Sequence, residues 1–189
     1  MIQAAQRVHQ RLNLTSNIII RDCVEDDLPH LEWFGWYTGF RDAIRATYRR
    51  QERGDASIIV ADLQGFPIGQ VWVEYGRRNI DAVGYIWALR VIPFLRNNGI
   101  GTTLLLVAEQ QLRQRGFTWA ELGVEKHSRA NALYQRLGYQ IIGASIDDVT
   151  YRTPEGELRR DPIDQWICRK NLRFASSRPV LANVQVETT

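Results

Sequence analysis

The sequence predicts a single-domain mixed α/β (α+β) fold, with a central sheet of about six or seven strands flanked by about four helices. Three observations predict it. From Ser57 to Val91 the apolar residues follow the two-residue period of sheet, in three runs separated by short turns. Two later segments follow the 3.6-residue period of helix and are each closed by a glycine, Gly116 and Gly138. Between them Trp119 to Val124 reads as a strand that follows a helix, and is therefore expected to run parallel to its predecessor.

Taken in order, residues 1–17 form an extension with at most a marginal helix through Ile2, Ala5, Val8 and Leu12. Ile18 to Arg21 is the first strand. Asp26 or Asp27 can cap a helix whose first turn tolerates Pro29, and Gly35 and Gly39 interrupt the aromatic stretch that follows. Trp33 and Phe34 are expected to pack in the core. A further helix runs through Ala43, Ile44 and Tyr48 to Gly54. Ile58 to Asp62 and Pro67 to Tyr75 form a hairpin, and Val83 to Val91 is a third antiparallel strand. The helix after Gly101 buries Leu104, Leu105, Val107, Ala108 and Leu112, and Glu109, Gln110, Arg113 and Gln114 fall on its polar side. Ser128 opens the last helix. Tyr139 to Ala144 and Gln165 to Leu172 are the closing strands, joined by a polar, turn-rich insert from Asp147 to Asp161, and residues 175–189 form a polar tail.

A chain of 189 residues, 44% hydrophobic, is long enough to bury one full core, so a single domain at 18–174 is expected. No apolar run approaches the roughly 20 residues needed to span a bilayer, which argues against a membrane partner. Cys23 and Cys168 are far apart and lie in no metal-ligand spacing, so no metal is expected and a reducing, cytoplasmic setting fits. The net charge of +3 is dispersed. Arg49, Arg50, Arg53, Arg77 and Arg78 form no nucleic-acid-reading motif, and no nucleic-acid partner is expected.

The most informative stretch is the junction between the third antiparallel strand and the helix after Gly101. Its loop, Arg96-Asn97-Asn98-Gly99-Ile100-Gly101, combines glycines that let a ligand approach the backbone with the unpaired amides and positive dipole end of a helix start. That combination is an anion site, most simply for phosphate. A Walker loop would need a lysine where Thr102 and Thr103 stand, and the dinucleotide fingerprint would need a third glycine where Leu104 stands.

The pattern Leu89-x-Val91-x-Pro93-x-x-Arg96-x-x-Gly99-x-Gly101 resembles the pyrophosphate-binding motif of the GCN5-related N-acetyltransferases. The order of elements from Ile18 to Leu172 is similar to that family's acyl-CoA N-acyltransferase fold. The resemblance implies acetyl-coenzyme A as acyl donor, with its pyrophosphate on the amides of Arg96, Asn97, Asn98, Gly99, Ile100, Gly101 and Thr102. It further implies that pantetheine pairs with the strand edge at Leu89, Arg90 and Val91, and that the Val91 N–H polarises the thioester carbonyl.

Tyr134, in Ala132-Leu133-Tyr134-Gln135-Arg136-Leu137-Gly138, stands where many members carry a tyrosine, and is the candidate general acid. His127 stands where the family often has a cofactor-contacting Asn, and Asn131 is an alternative polar contact. The acceptor ammonium must lose a proton, for which Glu74 and Glu32 are the candidate bases. The resemblance places the acceptor wall at Trp33, Trp36, Tyr37, Trp87 and Tyr151. The implied activity is direct acetyl transfer to a primary amine, on a small molecule or a peptide, with a homodimer compatible with the tail and last strand. An inactive coenzyme A-binding module of the same fold is the alternative.

Overall fold

Seven strands form one mixed sheet in the computed structural model, which describes residues 17–76 and 82–173. They are β1 (Ile18–Asp22), β2 (Ala56–Leu63), β3 (Phe66–Tyr75), β4 (Val83–Val91), β5 (Trp119–Glu125), β6 (Gln140–Arg152) and β7 (Leu158–Asn171). Their order across the sheet is β1-β2-β3-β4-β5-β7-β6, and only β4 and β5 run parallel. The helices are α1 (Arg41–Glu52), α2 (Ile100–Gln114) and α3 (Ala130–Arg136). This is the mixed fold expected from the sequence. The N-terminal extension before Asn17 and the tail lie outside the described residues.

The sheet is covered on both faces, which is why β2 reads as the unbroken apolar run Ile58-Ile59-Val60-Ala61. On one face Val71, Val73, Ile86, Ala120 and Leu122 pack with Leu104, Leu105, Ala108 and Leu112 of α2 and with Tyr134 of α3. On the other, Ile58, Val60 and Trp72 pack with Leu31 and with Ile44 of α1. Two glycines set how closely α2 approaches. A Cβ at Gly84 of β4 would collide with Leu112, and one at Gly69 of β3 would meet Leu104 Cδ1 at 3.0 Å.

Three expectations are corrected. The helix expected from Asp26 is replaced by single 3-10 turns at Glu25–Asp27, His30–Glu32 and Thr38–Phe40. Asp27 accepts the Val24 N–H at 2.8 Å and is gripped by Arg21 at 2.6 and 2.8 Å. Trp33 and Phe34 then take left-handed φ values of 41° and 59° ahead of Gly35 at 92°, which ends any helix. In consequence Trp33 is buried as expected, whereas Phe34 is turned outward and 73% exposed.

The turn-rich insert is strand almost throughout. β6 and β7 continue as a hairpin, with Val149 opposite Asp161 and Tyr151 opposite Arg159. Its tip docks on the Thr38–Phe40 turn, where a Cβ on Gly39 would strike the Arg152 carbonyl, and Arg152 Nε reaches Asp42 at 2.6 Å.

Glu109 is the third correction. It faces inward and is fully buried, with Lys170 Nζ of β7 at 2.7 and 2.9 Å. This pair clips α2 to β7 inside the core, where a carboxylate is tolerated only with a close counter-charge.

Lys170→Met, which leaves Glu109 buried without its closest partner, is expected to lose about 3–5 kcal/mol of stability. The double variant Lys170→Met, Glu109→Leu recovers most of the loss, as read by urea unfolding.

A second prediction concerns pH. Burial pushes the Asp27 carboxyl up, but the Arg21 hydrogen bonds and the Val24 N–H outweigh it and hold the group below its usual value. A carboxyl so lowered stabilises the fold above the unfolded value, about pH 4, and the contribution is lost as pH falls through the folded value. The stability advantage of wild type over Asp27→Asn is therefore expected to shrink below about pH 4 in a pH series of unfolding curves.

Candidate active site

The site begins where β4 and β5 part. Their parallel pairing covers only Val83 to Ile86 against Trp119 to Leu122, although β4 continues to Val91. The cause lies in β4 itself. Between the pairs Trp72–Trp87 and Gln70–Arg90, β4 has one residue more than β3, and Ala88 in that bulge sits at φ 52°. A left-handed alanine costs about 1 kcal/mol. Beyond the bulge, Ile92 donates to Ile68 O on the β3 side. By strand alternation the N–H groups of Val91 and Leu89 point the other way, to the edge that β5 has left.

After a 3-10 turn at Pro93–Leu95, the chain enters the loop before α2. Asn97 at φ 67° and Gly99 at φ 79° coil it so that successive amides converge. The Arg96 N–H is donated to Pro93 O, which corrects the expectation that it joins the cradle. The first helical bond is Thr103 N–H to Gly99 O, so the amides of residues 97–102 have no backbone acceptor among the described residues.

Asn98 Nδ2 donates to the Leu95 and Arg96 carbonyls, while Ile100 is buried and anchors the helix start in the core. Arg96 folds back with Nε on Val91 O at 3.0 Å, leaving its two terminal nitrogens outward. The Thr103 hydroxyl is engaged by Gly99 O, so Thr102 carries the available one. A Cβ on Gly101 would meet only Val91 Cγ2 at 3.6 Å. The fold therefore has room for alanine there, and the absent side chain opens the cradle itself. These features fit a pyrophosphate.

Tyr134 lies on the α2 side, buried edge-on to Tyr139 at 5.9 Å, and burial pushes its hydroxyl up to about 12. His127 is exposed in the turn after β5. Asn131 holds that turn together, its Nδ2 lying 2.9–3.1 Å from the carbonyls of Glu125, Lys126 and Ser128. Only its amide oxygen remains for another partner.

The residues expected to meet the acceptor divide. Tyr37, Trp87 and Tyr151 gather on the α1 side with Phe40, Trp72 and the Arg90 side chain, which points away from the Leu89–Val91 edge. Trp33 touches this group only through Tyr37, edge-on at 5.4 Å, and is itself buried with Nε1 donating to Pro67 O at 2.6 Å. Trp36 is 54% exposed against Phe34. Glu32 is clasped by Arg41 and Thr38, and the Arg41 hydrogen bonds foremost hold its carboxyl below the ordinary value.

Glu74 is buried and bonded to Arg50 at 2.8 Å, four residues along β3 from Gln70, or about 13 Å at 3.3 Å per residue. Residues missed from the sequence complete its row. Glu74 faces Tyr85, Tyr85 faces Glu121, and Glu121 faces Arg169, whose Nη2 reaches it at 2.6 Å. The available signal was a glutamate in the middle of an interior strand, since a sheet covered on both faces leaves it nowhere exposed.

Other features lie elsewhere. A 340 Å³ cleft between α1 and the first 3-10 turns, lined by Glu25, Leu28, Pro29, Glu32, Arg41, Ile44 and Arg45, includes no residue of β4 or the loop. Among the described residues no group of His, Cys, Asp and Glu could hold a metal ion, and no helix is long and apolar enough to cross a membrane. Burial pushes the Cys23 thiol up to about 12.

No curated protein matches the chain. Solved structures do. A ribosomal-protein-alanine N-acetyltransferase from Brucella melitensis is 19% identical, with 81% of this chain and 99% of that one covered at a TM-score of 0.64. The acetyltransferase yncA from Salmonella typhimurium, solved with its cofactor acetyl-CoA, is 16% identical over 87% of this chain and 99% of its own, at 0.65. An aminoglycoside 6'-N-acetyltransferase complexed with coenzyme A is 18% identical over 85% and 99%, at 0.58. At these identities the likeness is one of fold. The sequence model of the acetyltransferase (GNAT) family matches residues 23–139, a span that begins just after β1 and runs through the loop to Tyr139. With that match over more than half its length, and the parted strands and amide cradle within it, the chain belongs to the acetyltransferase (GNAT) family.

Proposed function

We propose that the protein transfers an acetyl group from acetyl-coenzyme A to a primary amine, the amine attacking directly while both substrates are bound. The observation that carries this reading is the open edge of β4 leading straight into a loop of six amides without backbone acceptors among the described residues. The loop amides from Asn97 to Thr102, the Thr102 hydroxyl and the outward nitrogens of Arg96 hold the pyrophosphate. The edge at Leu89 and Val91 supplies strand-like hydrogen bonds to the amides of pantetheine. Acetyl-coenzyme A supplies the activated thioester. The Val91 N–H is the donor to the carbonyl oxygen as negative charge develops there.

A magnitude limits the role of Tyr134. With its pKa near 12 against about 8.5 for a free thiol, full proton transfer to the departing sulfur would be uphill by about 4–5 kcal/mol. Tyr134 therefore acts by donating a hydrogen bond to the sulfur, keeping its own proton. The raised value ensures that it is protonated throughout the physiological range. Glu74, one row behind the Trp72–Trp87 pair, takes up the ammonium proton through intervening donors rather than by contact. Cys23 and Cys168 are both buried with thiols pushed up by burial, which gives no support to a covalent acyl-enzyme.

Isothermal titration is expected to show acetyl-coenzyme A binding by wild type, and at least about 100-fold weaker binding by Gly101→Glu, which places a carboxylate in the amide cradle. Circular dichroism of the variant checks its fold. A well-folded wild type that binds no acyl-coenzyme A overturns the proposal. Tyr134→Phe is expected to lower kcat by about 10- to 100-fold in a thiol-release assay while leaving acetyl-coenzyme A affinity within about twofold. A matching loss of affinity would instead make Tyr134 a packing residue.

A further inference from the structure

The α1 side of β4 holds two hydrogen-bond donors that the fold does not answer. Arg90 Nη1 and Trp87 Nε1 are both buried, and neither has an acceptor among the described residues. In a regular strand, residues three apart would face opposite ways, but the bulge at Ala88 puts these two on one face. Rings enclose the Arg90 guanidinium, whose Cζ lies 4.3 Å from the centroid of Tyr37, 5.2 Å from Phe40 and 5.9 Å from Trp72. Trp87 stands edge-on to Trp72 at 4.5 Å.

The acids near these rings already have partners. Glu32 is held by Arg41, Asp42 by Arg152, Glu74 by Arg50, and Asp161 by the Tyr151 hydroxyl. Arg90 is thus a cation in an aromatic enclosure with no carboxylate bonded to it among the described residues. A buried donor normally has an acceptor, and a buried cation a counter-charge.

We infer that the acceptor brings the missing group: it is a free amino acid with an apolar or aromatic side chain, its carboxylate received by Arg90 and the Trp87 indole N–H. A carboxylate is acceptor-only, and its two oxygens suit the planar fork of an arginine. The amine of an amino acid sits on the carbon next to its carboxylate. A carboxylate at Arg90 therefore fixes the amine on the ringed, α1 side of β4, from which it approaches a thioester held at the open edge. The half-buried rings of Tyr37 and Phe40 offer the side chain an apolar surface, backed by the fully buried Trp72. A polycationic acceptor would be repelled by an arginine with no counter-ion, and a protein lysine carries its amine far from any carboxylate.

The inference rests on the acetyl-transfer reading for the fate of the amine, but the carboxylate contact can be measured without turnover. The test is titration of the full chain with L-phenylalanine, L-leucine and L-methionine, and with the three amines that lack their carboxylates, by calorimetry or tryptophan fluorescence. At least one acid is expected to bind wild type about 10- to 100-fold more tightly than its matching amine, the range expected of a charge-assisted hydrogen bond. Arg90→Met removes that preference, and Arg90→Lys restores part of it. Melting curves establish that both variants fold. Acetyl-coenzyme A affinity serves as the control, since the Arg90 side chain points away from the open edge.

Equal binding of acid and amine, an unchanged preference in Arg90→Met, or binding of none of the acids overturns the inference. If acetyl-coenzyme A fails to bind while the acid preference and its loss in Arg90→Met persist, the acetyl-transfer reading falls and the carboxylate site stands.

Discussion

The constraint on which the rest depends is the single extra residue in β4 at Ala88. Parallel pairing needs matched pleats, and β4 keeps its pairing with β5 only up to Ile86 and Leu122. The bulge then bends β4 away, at the cost of a left-handed alanine. Open polar edges inside a covered sheet are unfavourable, so such a gap persists only if the surroundings hold it apart. The Arg96 Nε bond to Val91 O and the burial of Ile92 and Ile100 fix the end of β4 and the start of α2 on one side. The antiparallel ladder of β5 with β7, from Trp119 to Glu125, fixes the other.

The same bulge has a second effect on side chains. It shifts the alternation of β4, so Leu89 and Val91 pack toward α2 while Trp87 and Arg90 share the opposite face. A single backbone irregularity thereby creates both halves of the proposed site: an edge of amides for the donor and a ringed cation for the acceptor. The β6–β7 hairpin completes the second half because Gly39 lets its tip lie directly on the Thr38–Phe40 turn, bringing Tyr151 within 6.0 Å of Phe40. Buried ion pairs, Glu109–Lys170 on the α2 side and Glu121–Arg169 on the other, bind β7 to α2 and to β5. Such pairs do little for net stability when compared with apolar packing, but they tolerate only one arrangement.

The parts of the molecule legible in the sequence are those written in backbone requirements. The β-branched apolar runs of β2 to β4, the glycine stops of α2 and α3, and the paired glycines of the loop each reflect a backbone preference, and all appear where expected. What stayed hidden depends on tertiary context. Ala88 gives no sign of a positive φ, because alanine is an ordinary strand or helix residue. Trp33 and Phe34 are chemically alike, yet consecutive left-handed residues send one into the core and the other into solvent. Glu109 looks like a polar-face residue because its neutralising partner, Lys170, is 61 residues away. The strands beyond Asp147 stay hidden for a related reason: in a largely exposed hairpin the apolar residues, Val149, Tyr151 and Ile163, are too sparse to give the usual apolar period.

This contrast separates the two substrates in kind. The donor site is built of amides, whose geometry depends on φ and on the absence of side chains, so changing most side chains around it leaves its chemistry intact. The proposed acceptor site is built of side chains whose meaning depends on what they lack. Arg90 and Trp87 would be unremarkable on an exposed strand, where water would satisfy both. They acquire significance only because burial removes water and the neighbouring acids are already bonded elsewhere. A family can therefore keep one donor site through extensive sequence change, while acceptor choice moves with a few charges. In this chain the unmatched positive charge on the acceptor face favours a substrate that arrives with a negative one.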